Sequence, residues 1–104
     1  MNLKLFLSNL FDGQILYDEL GLLEELVIPG DQLHLLKEDL LQVESLDGEY
    51  LLDVGWYPEF NATGQFIIMI IKKCNWENPI LIRKTSDIQS LKQILITCKS
   101  ISNF

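Results

Sequence analysis

The hydrophobic pattern is clearest in the second half of the chain. Over residues 49–56 it alternates: Tyr50, Leu52, Val54 and Trp56 share one side, and Glu49, Leu51, Asp53 and Gly55 the other. A period of two is that of a strand. Tyr57-Pro58 ends it, because proline cannot donate to a ladder, and Asn61-Ala62-Thr63-Gly64 supplies turn residues. Residues 65–73 predict the strongest strand. Its run Phe66-Ile67-Ile68-Met69-Ile70-Ile71 is apolar on both sides, which predicts a central strand covered on both faces. After a loop at 75–79, Ile80-Leu81-Ile82-Arg83-Lys84 predicts a third strand nearer an edge, and the short loops favour an antiparallel meander.

The period then changes. Ser86-Asp87-Ile88-Gln89 reads as a capping box with Ser86 at the N-cap. Ile88, Leu91, Leu95 and Cys98 follow at helical spacing, Ile94 and Ile101 widen the stripe, and Cys98 falls in the core. Earlier in the chain, Asp47-Gly48 is a hairpin signal that would pair residues 40–46 with the Tyr50 strand. Asp31 would cap a helix over 32–39, with Leu33, Leu36 and Leu40 on one face. Pro29-Gly30 separates it from residues 14–26, where Ile15, Leu16, Leu20, Leu23 and Leu26 suit a helix despite Gly21. Leu3, Leu5 and Leu7 alternate like a strand, whereas Leu3, Phe6, Leu7 and Leu10 suit a helix, and both readings stand. The expected fold is a single α+β domain over residues 1–104. It has an antiparallel sheet of three to five strands, a C-terminal helix packed on one face and a helical N-terminal half.

Composition adds a packed core to this picture: 48% of the 104 residues are hydrophobic. The longest apolar run, Phe66 to Ile71, falls far short of the ~20 residues that span a bilayer, and residues 1–7 carry no secretory pattern. The expected location is cytoplasmic, with Cys74 and Cys98 as free thiols. Charge changes the picture more. Residues 1–60 hold thirteen acids against two bases, Lys4 and Lys37, while residues 61–104 hold two acids and six bases, leaving −7 overall. Such a field repels nucleic acid, whose affinity comes mainly from phosphate neutralisation, and attracts basic protein surfaces.

Candidate chemistry is sparse. The six glycines are scattered, so no phosphate loop or dinucleotide fingerprint exists. His34 with two distant cysteines makes no zinc set, and the acids lack calcium-loop spacing. Neither an enzyme, a metal nor a cofactor is expected. Recognition is favoured instead by Gly55-Trp56-Tyr57-Pro58-Glu59-Phe60, aromatics beside an acid, and by the loop Asn75-Trp76-Glu77-Asn78-Pro79. Of these, Trp56 is expected in the core, with Tyr57 and Glu59 exposed, while Trp76 suits a contact residue and a pin of its loop onto the core equally.

The stretch Leu52-Asp53-Val54-Gly55-Trp56-Tyr57-Pro58-Glu59, then Gly64-x-Phe66, an apolar strand, Trp76-x-Asn78-Pro79 and a final helix resembles small immunity proteins of bacterial contact-dependent growth inhibition and related polymorphic toxin systems. The resemblance covers roughly residues 49–101. It implies a cytoplasmic protein that binds one cognate toxin domain 1:1 and blocks it. Many such toxins are nucleases with basic clefts, and an acidic inhibitor suits them. The candidate contacts are Asp31, Glu38, Asp39, Glu44, Asp47, Glu49, Asp53, Tyr57, Glu59 and Trp76, with neither a nucleic acid nor a membrane as partner. The rival reading is an acidic adaptor or regulator of a basic partner that is not a toxin.

Overall fold

The computed structural model describes residues 2–24 and 29–104, the side chains of 29–31 excepted. Helix α1, Lys4–Leu10, settles the open choice at the start in favour of a helix. It buries Leu7 and hangs Leu3 beneath it, one turn apart. Five strands follow: β1 Gln14–Asp18, β2 Leu41–Glu44, β3 Tyr50–Tyr57, β4 Gln65–Lys72 and β5 Leu81–Thr85, before helix α2, Ile88–Ser102. The strands pair antiparallel in the order β1-β2-β3-β4-β5. The meander, the hairpin at Asp47-Gly48 and the C-terminal helix are as the pattern predicts.

The N-terminal half is not the helical half expected. Ile15 and Leu16 lie in β1, exposed, and only Leu20 and Leu23 reach the core, through a 3-10 turn at Leu20–Leu22. Local hydrogen bonding explains the break: the Gly21 N–H donates to Asp18 Oδ1 at 2.8 Å, an alternative to a helical ladder. Leu26 of that stripe lies outside the described residues. The second expected helix is a 3-10 segment, Pro29–Leu35, interrupted at Gln32. There the Gln32 side chain turns inward and accepts from the Glu24 N–H at 2.9 Å.

One face of the sheet carries the core. Val43, Leu52, Val54, Trp56, Phe66, Ile68 and Ile70 join Leu7 of α1 and Ile88, Leu91, Leu95 and Cys98 of α2 in a single cluster. Trp56 is its largest member, 1% exposed. Its ring meets that of Phe66 edge-on at 4.8 Å, and its Nε1–H donates to the Asn61 carbonyl at 2.8 Å. Helix α2 starts one residue later than the capping box suggested: Asp87 is the N-cap, its Oδ1 accepting from Ser90 N–H at 2.7 Å. Ile101 widens the apolar stripe without being buried; it is exposed.

The opposite face is different. By register it presents Gln42 and Glu44 of β2, Leu51, Asp53, Gly55 and Tyr57 of β3, Ile67, Met69 and Ile71 of β4, and Ile82 and Lys84 of β5. The buried apolar residues of α1 and α2 belong to the core cluster on the other side. The expectation for β4 is corrected accordingly: β3 is the central strand, β4 lies next to an edge, and a helical layer covers β4 on one face.

Candidate functional site

A lead-in to β2 shapes one end of this open face. Before Leu41, the chain already runs beside β3: the Leu40 N–H donates to the Val54 carbonyl at 3.0 Å, and the Trp56 N–H to the Lys37 carbonyl at 2.8 Å. Gly55 permits that close approach. A Cβ there would collide with the Glu38 carbonyl and come within 2.9 Å of the Tyr57 ring. Tyr57 therefore lies over the glycine, half-buried, while Glu38 and Asp39 are held outward at the surface.

Around them an acidic group assembles. Tyr17 pairs with Gln42, and Gln42 with Asp53, across β1, β2 and β3. Gln42 Nε2 donates to Asp53 Oδ1 at 3.0 Å. Asp53 is 4% exposed, and that burial pushes its carboxyl above the ordinary value; Gln42 opposes the shift, and the charge of Asp39 adds to it. Burial also raises the Tyr57 phenol, helped by Asp53, Glu38 and Asp39. The Tyr17 phenol is raised chiefly by hydrogen bonding to Glu19, whose own carboxyl is lowered by the same bond and by Lys37. Lys37 Nζ lies 3.1 Å from Glu19. Glu59 comes in from the β3–β4 loop, its Oε1 accepting from the Glu38 N–H at 3.4 Å. A shallow cavity of about 270 Å³ opens among Tyr17, Asp39 and Gln42.

Glu38, Asp39, Asp53, Tyr57 and Glu59 thus converge. The other candidates do not join them. Glu44 and Glu49 line a second hollow of about 170 Å³ at the β2–β3 hairpin, with Leu16, Leu51 and Lys73. Glu49 faces Lys73 at 3.8 Å. The two ends of β3 stand roughly 20 Å apart at ~3.3 Å per residue. Asp47 is exposed at the turn of the β2–β3 hairpin and is tied into it. Its Oδ1 takes the Ser45 hydroxyl at 2.7 Å and the Glu49 N–H at 3.0 Å, and the Glu49 bond, with Ser45, holds its carboxyl below the ordinary value. Trp76 stands in the β4–β5 loop at the hairpin end, 45% exposed. The side chain of Asp31 lies outside the described residues. Among the expectations for the aromatics, Trp56 is buried, Glu59 exposed and Tyr57 intermediate.

Sequence reasoning missed Tyr17, Glu19 and Gln42. Tyr17 and Glu19 sat in a segment read as helix, where their position beside Asp39 was invisible. Gln42 was legible in principle, since pairing residues 40–46 with β3 sets it across from Asp53. Among the described residues, no three acid, histidine or cysteine side chains could hold a metal ion, and no helix is long and apolar enough to cross a membrane. Neither a family model, nor a curated protein, nor a solved structure matches the chain.

Proposed function

We propose that this chain is an immunity-type inhibitor. It binds the catalytic domain of a cognate toxin 1:1 in the cytoplasm and neutralises it by occlusion, with no catalysis of its own. The observation that supports this reading is the convergence of Glu19, Glu38, Asp39 and Glu59 around Tyr17 and Tyr57, beside the buried Asp53. Carboxylates set about a tyrosine-lined hollow can occupy the places of substrate phosphates in a basic nuclease cleft, and tyrosines supply rigid contact area. The strong negative field of residues 1–60 accelerates encounter with such a target. The resemblance at residues 52–59 points to the same class.

The test is a binding and protection assay with the domain encoded immediately upstream. The expected result is a 1:1 complex that abolishes toxin activity and weakens with salt. Replacing Glu38, Asp39 and Glu59 by their amides is expected to slow association and flatten its salt dependence, with a folded chain by circular dichroism. Salt-independent association of the wild-type chain would remove the electrostatic reading. Tight binding of a basic partner without protection from a toxin would favour the adaptor reading instead.

A further inference from the structure

Residues 66–71 are apolar on both faces, the pattern of a strand covered on two sides. The chain supplies one cover: Ile68 and Ile70 pack into the core with α1 and α2. Across Ile67 and Met69, no helix of the described residues is laid down and both stay partly exposed, whereas Ile71 further along the strand is already buried. The apolar rows continue sideways, for Met69 stands between Asp53 and Ile82 in the register. Ile82 is 46% exposed on the edge strand, where Arg83 and Lys84 beside it supply the charges that ordinarily guard such an edge.

Towards β2 the same face turns acidic, with Glu44 on β2 and the exposed Glu38 and Asp39 beside Tyr57, while Lys84 of β5 stands at the opposite border. An apolar floor with carboxylates along its β2 side fits a partner surface with an apolar centre and a lysine or arginine margin facing that side. A second copy of the chain fits poorly, because it brings a chain of net charge −7 against one of the same sign.

We infer that a basic protein partner lies flat across β3, β4 and β5, supplying the second layer that the sequence of β4 is suited to, with Ile82 and Met69 as its anchors. The inference rests on the toxin-binding reading above and assigns the work within it: the acids steer the encounter and the apolar floor holds the complex.

The experiment is surface plasmon resonance of the full chain against the basic domain encoded immediately upstream. Ile82→Thr and Met69→Thr remove apolar area without adding charge and keep a strand-favouring residue. Ile96→Thr, on the outer face of α2 and 44% exposed, is the matched control. Urea unfolding verifies each fold, and Ile82→Thr, on an exposed edge, serves alone if Met69→Thr unfolds. Each floor variant is expected to dissociate about tenfold faster, with association within about twofold and the salt slope unchanged. The control is expected to match the wild type. Unchanged dissociation in Ile82→Thr would overturn this docking face while leaving the inhibitor reading intact. No binding by the wild-type chain would remove that reading, and this inference with it.

Discussion

Trp56 stands where two roles compete, since it belongs to the same short motif as Tyr57 and Glu59. Its place in the core makes the cost of altering it calculable. Trp56→Phe keeps an aromatic ring facing Phe66 and removes the indole's second ring and its N–H. The deleted volume is about 40 Å³. At ~24 cal/mol per Å³ the resulting cavity costs about 1 kcal/mol. Withdrawing roughly 40 Å² of apolar surface from burial costs about 1 kcal/mol more. The lost hydrogen bond to the Asn61 carbonyl adds up to about 1 kcal/mol, less where water reaches that exposed loop. The sum is about 2–3 kcal/mol. In a domain of this size that lowers the melting temperature by roughly 10–20 °C. Urea unfolding followed by far-ultraviolet circular dichroism measures it, with the slope expected to stay constant while the midpoint falls. Affinity for a partner at a temperature where both forms are folded is expected to be unchanged. A loss below about 0.5 kcal/mol would refute the packing argument. Full stability with lost affinity would make Trp56 a contact residue.

Two further outcomes follow from charge and burial. Asp53 has a folded-state pKa raised by burial, so its ionised form costs stability at neutral pH, and the cost fades as pH falls through the folded value. Asp53→Asn, which keeps an oxygen for Gln42, is therefore expected to raise the urea midpoint at pH 7. The gain should shrink towards the unfolded carboxylate value of about 3.9 and vanish below it; a gain that did not vary with pH would contradict this account. The Cys98 thiol is pushed up to about 11 by burial, whereas Cys74 is exposed. A disulfide reagent at pH 8 is expected to titrate one thiol per chain promptly and the second after unfolding, and prompt reaction of both would show Cys98 to be accessible.

The fold was legible where structure is local. Strands β3, β4 and β5, the Asp47-Gly48 hairpin and helix α2 all follow from a period and a nearby turn or cap. Strand β1 was not legible, because nothing between residues 14 and 18 alternates. Ile15, Leu16 and Tyr17 are consecutive and exposed, and they are extended because β2 lies alongside. Tertiary pairing there overrides a pattern that suits a helix as well. The candidate surface divides the same way. The parity of β3 could be read, and it set Asp53 on the face opposite Trp56; Glu59, past the proline, is exposed as expected, whereas Tyr57 is half-buried. That Glu19 and Tyr17 would meet Asp39 depends on β1 and could not be read. Asp47 was legible twice over, as an acid and as half of an Asp-Gly turn, and its hydrogen bonds to Ser45 and Glu49 bear out the turn.

The carbonyl of Phe104 accepts hydrogen bonds from the N–H groups of both Asp12, at 2.7 Å, and Gly13, at 2.6 Å. Residues more than ninety positions apart are thereby joined at the entry to β1, whereas β2 through β5 are linked by successive hairpins. Strand β1 also meets β2 only across residues 19–40, a longer closure than any of the hairpins, so its pairing is expected to follow theirs. By the same reasoning, the edge carrying Tyr17 and Glu19 should exchange its amide hydrogens sooner than the strand carrying Asp53. The acidic hollow is then a seam between an early-folding meander and a late-arriving edge, and its completion reports that the whole chain has folded.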